Sequence, residues 1–131
     1  MAQEHKGRLV YLASPYSSPD KALQEYRFVA AAIASGWLMN KYQDLSFFSP
    51  ITHTHPIAVH CALPGYWQFW AAYDQCMLSR CDEVWVLCLD GWRASSGVTA
   101  ELKIARETGM PVKFVIPGAP GEYSITEVEP Q

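Results

Sequence analysis

The sequence lacks the glycine-rich turn GxGxxG and the phosphate-loop pattern GxxxxGK[ST]. Ordinary dinucleotide binding and nucleoside-triphosphate chemistry are therefore disfavoured. It also lacks any run of the roughly 18–20 apolar residues that a membrane-spanning helix requires. Positive charge is scarce, with 10 Lys and Arg against 13 Asp and Glu and a formal net charge of −3. Nothing here draws a phosphate backbone, so no nucleic-acid polymer is expected as a partner, and no membrane either. Cysteine is limited to four residues, Cys61, Cys76, Cys81 and Cys88, with no CxxC pair. That excludes a disulfide framework and reads as reduced thiols in a cytoplasmic protein. The "THTHP" segment places His53 and His55 near His60 and Cys61 but supplies no convincing third metal ligand. No metal site and no cofactor are expected. The opening "MAQEHKGR" is polar and carries no secretory-signal pattern.

What is present is a chain of 131 residues, 50% hydrophobic and 13% aromatic, which suits one core-bearing domain spanning residues 1–131. "RLVYLAS" (8–14) reads as a buried strand stopped by Pro15. A helix follows, with Ser18 as its cap, Pro19 at the first position and Asp20 in the first turn. Leu23, Tyr26, Val29, Ala30 and Ile33 recur at helical spacing, and Gly36 is placed to end or thin the helix. "LSFFSP" (45–50) is a second strand, and 51–65 a loop or short helical excursion. A helix is expected from Pro64 to about Arg80, a third strand over 82–89, a helix over 96–109 closed by Gly109, and a fourth strand over 111–117. The acidic tail reads as turns. Alternating strands and helices predict a small doubly wound α/β fold, a Rossmann- or flavodoxin-like three-layer sandwich on a parallel sheet of four or five strands.

In such sheets ligands bind outside the carboxyl ends of the strands. That edge gathers Ser14, Pro15, Tyr16, Ser17 and Ser18 after the first strand. Ser49 and the histidine segment follow the second, and Trp92, Arg93, Ser95, Ser96 and Gly97 the third. "DGWRASSGVTAEL" (90–102) is the richest stretch. A Ser-Ser-Gly turn at a helix start offers free amides, hydroxyls and close backbone approach, all suited to an anion. A serine there also serves as an ordinary helix cap. Glu101 follows four residues after Gly97 and leans back toward the turn. Trp67, Trp70 and Asp74 fall on one helical face. They form either a core-facing stripe with an acid at its rim or an aromatic wall for a planar base with a polar handle. Two carboxyl groups around one pocket is the arrangement that breaks glycosidic bonds.

"VYLASPY", "YDQCMLSRCDEVWVL" and "SSGVTAELKIA" resemble segments of the nucleoside 2-deoxyribosyltransferase-like superfamily, over Leu9 to Pro117. Within it the sequence is most similar to a small branch known only as a domain of unknown function. The resemblance implies that Glu101 is a nucleophile, that Asp74 contacts the base and assists leaving-group protonation, and that Tyr11 positions the glutamate. It implies that Ser95 stands where monophosphate hydrolases carry a phosphate-binding serine. Those hydrolases have a glycine- and arginine-containing loop after the first strand, whereas "SPYSSP" has no basic residue. Arg27 and Arg93 are the candidates to stand in for it.

The expected function is hydrolysis or transfer at the N-glycosidic bond of a (deoxy)nucleoside 5′-monophosphate. Ser14, Tyr16, Ser17, Trp70, Trp92, Ser95 and Gly97 are expected to bind substrate. The alternative is a nucleotide-binding or sensing module of the same fold without turnover. Three of the five tryptophans, Trp67, Trp70 and Trp92, lie on or near the ligand edge. A domain this size struggles to bury them all, so a homo-oligomer is expected, a dimer packed through the 64–80 helix or a tetramer.

Overall fold

The computed structural model describes residues 7–131; the polar stretch 1–6 lies outside the described residues. Strand β1 (Leu9–Ala13) is buried along almost its whole length because it has a parallel partner on each side. One is β2 (Ser46–Phe48) and the other β3 (Glu83–Leu87). Next to β3 runs β4 (Val112–Pro117), also parallel, and β5 (Tyr123–Thr126) closes the edge antiparallel to β4. The order β2-β1-β3-β4-β5 makes a five-stranded, mostly parallel sheet. The fifth strand lies in the tail that was expected to form turns alone.

Alternate residues of each strand serve opposite faces, as the two-residue strand period demands. Tyr11, Ala13, Val84, Val86 and Phe114 pack in one core cluster with Val98, Leu102 and Ala105 of helix α4 (Ser96–Glu107). Val10, Leu12, Trp85, Leu87 and Val115 pack in the other, against helix α1 (Lys21–Lys41). Helices on both faces make this a small doubly wound three-layer sandwich.

Three expectations need correction. Asp20, not Ser18, caps α1, accepting from the Ala22 amide at 2.9 Å, while Ser18 accepts from the Asp20 amide. Gly36 does not end that helix, which continues to Lys41. The stripe Tyr26, Val29 and Ile33 faces outward, and the buried side is Gln24, Ala31, Ala34, Ser35 and Leu38. Small residues let the helix lie close to the sheet, and that proximity outweighs the larger side chains of the competing stripe.

The stretch 51–65, expected as a loop or short helical excursion, instead holds most of a full helix, α2 (Pro50–Cys61). Ser49 caps it, Pro50 takes the first position, and Ala62 ends it in the left-handed conformation. Pro56 inside the helix obscured it in the sequence. Helix α3 (Trp67–Leu78) starts three residues after Pro64, whose carbonyl accepts from the Trp70 indole at 2.7 Å. Helix α4 is capped by Ser95 and followed by Gly109 at φ +73°, the left-handed stop expected there. No helix among the described residues is long and apolar enough to cross a membrane.

Candidate active site

The carboxyl ends of β1 and β3 lie side by side, and the crossovers from them run to opposite sides, β1 to β2 and β3 to β4. A crevice opens at such a switch point. Tyr11 sits in the middle of β1 with no solvent exposure. Its hydroxyl donates to Oε2 of Glu101, whose side chain leans from α4 toward the helix start. Glu101 is itself only 5% exposed. Burial raises its pKa to about 8; the Tyr11 hydrogen bond opposes that rise, and the nearby Asp74 carboxylate adds to it. Burial, with help from both carboxylates, also pushes the Tyr11 phenol far above its ordinary value, so it stays a proton donor.

Asp74 comes from α3. Burial lifts its pKa to about 6. Its Oδ1 is buried without a hydrogen-bond partner, and so is Oγ of Ser14 at the end of β1. Unpaired polar atoms cost about 1–3 kcal/mol each when buried, so a water or a ligand group that pairs with these two in the cleft is favoured.

The cleft is narrow and stands partly open to solvent. Eight of the expected site residues line it: Ser14, Tyr16, Ser17, Trp70, Asp74, Ser95, Gly97 and Glu101. Tyr11 stands behind Glu101 rather than on the surface of the cleft. Trp67 also lines the wall, as do Pro50, Ile51 and Thr54 of α2. The α2 residues were missed because the segment was not read as a helix that reaches the edge; the Ser49-Pro50 start was its only local signal. Gly97 is fitted to Trp67, since a Cβ there would come within 2.9 Å of the indole Cδ1. The backbone at the α4 start can approach the wall only without a side chain.

Trp92 does not line the cleft. It opens a short 3-10 turn (Trp92–Ala94), but its ring turns inward, is 7% exposed, and packs against Phe114 at 5.8 Å. Gly91, just before it, lies in the left-handed region at φ +89°. Arg93 follows it and stacks over the Trp92 ring. Arg27 behaves differently. Its guanidinium donates to the carbonyls of Tyr16, Ser17 and Asp90, bracing the loop after β1 against the loop after β3. It also lines an adjoining recess with Ser17, Ser18, Ser95 and Ser96.

Ser95 Oγ accepts from the Val98 amide at 3.2 Å, so the capping reading holds. A hydroxyl that accepts one bond keeps its proton free to donate into the cleft. Among the described residues, no group of three or more His, Cys, Asp or Glu is arranged to hold a metal ion.

No curated protein matches the chain. A family model does match it, over residues 8–116, a span that holds every side chain of the cleft. The chain belongs to that family, described as a domain of unknown function (DUF1937).

Proposed function

We propose that this protein is a cytoplasmic enzyme that hydrolyses or transfers at the N-glycosidic bond of a (deoxy)nucleoside 5′-monophosphate. The observation that carries the reading is the buried Glu101 carboxyl, held by Tyr11 and facing the same cleft as the unpartnered Asp74. In the proposed reaction a Glu101 oxygen attacks the anomeric carbon. The bond to the base breaks, its electron pair stays on the base nitrogen, and the Asp74 proton neutralises it. Water or a second base then displaces the sugar from Glu101. Trp67 and Trp70 form a wall for the planar base.

The coupled pair holds one proton between pH about 6 and about 8. The proton rests on Glu101, the group with the higher pKa, and the reactive arrangement is the minor one in which it has moved to Asp74 and left Glu101 ionised. The test is base release: incubation with a panel of ribo- and deoxyribonucleoside 5′-monophosphates, followed by chromatography, is expected to yield a free base from at least one. Binding without release favours the non-catalytic module. No binding at all sinks both readings.

The phosphate is assigned to the start of α4, where Ser95, Ser96 and the helix amides adjoin the Arg27 recess. Arg27 supplies, from α1, the charge that the loop after β1 lacks. Ser95→Ala is expected to weaken a monophosphate by about 1.5–3 kcal/mol, the range for a hydrogen bond to a charged group, and its nucleoside much less. Equal losses, measured by calorimetry, mean that Ser95 is a cap and nothing more.

We further propose a two-fold dimer packed through α3. The tryptophans that suggested an oligomer are not the exposed rings, since Trp92 is buried and Trp67 and Trp70 are half-buried. Along α3 and its start the exposed rings are Tyr66, Phe69 and Tyr73, at 55%, 46% and 39%. Light scattering at micromolar concentration is expected to give twice the 14.7 kDa chain mass, and a fully active monomer refutes the dimer.

A further inference from the structure

One buried polar chain plays no part in this reaction. The Tyr16 hydroxyl, in the loop after β1, lies 2.6 Å from Nδ1 of His55 on α2. Nε2 of the same ring lies 2.5 Å from Oε2 of Glu25 on α1. The His55 side chain is 6% exposed and Glu25 is 60% exposed. Phe28 stacks on the imidazole with centroids 4.5 Å apart, and the Tyr16 ring meets it edge-on. Three elements thus converge to hold one histidine against a residue that lines the cleft.

We propose that His55 and Glu25 fix the polarity of the Tyr16 hydroxyl, so that it meets the ligand as a hydrogen-bond acceptor. A carboxylate only accepts, so the Glu25 contact puts a proton on Nε2. In a neutral imidazole Nδ1 is then an acceptor, and the only proton available to fill it is that of Tyr16. Where the ring carries a single proton, the Glu25 contact fixes it on Nε2 and leaves Nδ1 as the acceptor. Burial, with Glu25 in second place, raises the Tyr16 pKa, which keeps the phenol protonated. With its proton committed to His55, Tyr16 turns only lone pairs toward the cleft.

The ligand group at this point must therefore bring its own proton, as a sugar hydroxyl or a base amino group does. An anionic oxygen finds no donor there. This directs the phosphate away from Tyr16 and the donor-bearing part of the ligand toward it. The statement about ligand recognition rests on the nucleotide reading above. The statement about His55 does not.

Two measurements test the proposal separately. The first is the side-chain nitrogen NMR spectrum of the labelled, ligand-free protein at pH 8.5. The expected result is a protonated Nε2 and an unprotonated, hydrogen-bonded Nδ1 on His55, with Nδ1 losing its bond in Tyr16→Phe. A proton on Nδ1 overturns the proposal.

The second is a binding cycle in a Glu101→Gln background, which prevents turnover. It uses the tightest-binding ordinary ribonucleoside 5′-monophosphate and its analogues lacking the 2′-hydroxyl, the 3′-hydroxyl or the base amino group. Tyr16→Phe is expected to weaken the parent about fivefold to tenfold, the loss of one hydrogen bond. One analogue should show the same loss in the Tyr16 protein and no further loss in Tyr16→Phe; which one it is tells sugar from base. Additive losses for all three overturn the recognition proposal. If no nucleotide binds the unsubstituted protein, the nucleotide reading fails with it, and the nitrogen spectrum alone decides the polarity of Tyr16.

Discussion

Glu101→Gln is expected to abolish base release, by at least about 10³-fold, while leaving the fold and nucleotide binding intact. Glutamine preserves the volume of the side chain, and its carbonyl oxygen still accepts from the Tyr11 hydroxyl. It has no oxygen nucleophilic enough to attack the anomeric carbon. The same substitution is expected to make the protein more stable at neutral and alkaline pH. The Glu101 pKa is raised from 4.5 to about 8 by burial. As pH climbs through that window, unfolded chains release the proton and folded ones retain it. Stability present below pH 4.5 is lost, at up to about 1.4 kcal/mol per pH unit, until the folded carboxyl ionises. Glutamine carries no such penalty. Melting temperatures of the two proteins should therefore agree near pH 4 and diverge in favour of the variant by pH 8. Undiminished turnover in the variant sinks the nucleophile assignment, and parallel melting curves sink the claim of a strained carboxyl.

Asp74→Asn is expected to lower turnover by about 10²–10⁴-fold, the range for removing a general acid, and to change the shape of the pH profile. The unsubstituted protein needs one proton on the pair, so its kcat/KM should peak near neutrality and fall below pH about 6 and above about 8. Without Asp74 the descending limb has no origin, and the rate should rise with pH to a plateau. The remaining rise should follow Glu101 alone, above the pH of about 6 where the unsubstituted protein rises but somewhat below about 8, because the Asp74 charge helps to raise Glu101. A profile that keeps both limbs in Asp74→Asn assigns the second proton to another group.

Much of the fold was legible because burial has a period. β1 and β3 are short, nearly continuous apolar runs, as strands covered on both faces must be. The polar turn of α4 announced itself through Ser95, Gly97 and Glu101, which stand close together in the chain. The errors share a cause, which is that side-chain direction is decided at a distance. Trp92 lies at the edge, but its ring packs into the core cluster beside Phe114. Helix α1 carries two plausible inner faces, and only the nearness of the sheet selects Ala31 and Ala34 over Tyr26 and Ile33. The Tyr16–His55 contact joins residues 39 apart, and no local pattern announces it.

Helix α3 holds Asp74, Trp67 and Trp70, yet Leu78 is its only buried residue. Glu101 and Tyr11 belong to the opposite regime, anchored on a capped helix and a strand paired on both sides. On this packing the two halves of the site are expected to open at different free energies, Glu101 and Tyr11 only with the whole domain and α3 by a smaller, local excursion. A ligand that bridges Glu101 and Asp74 recruits the loosely held helix into the rigid body of the protein. On the proposed mechanism, entry and release are expected to follow how often α3 swings out, with the proposed nucleophile held in place.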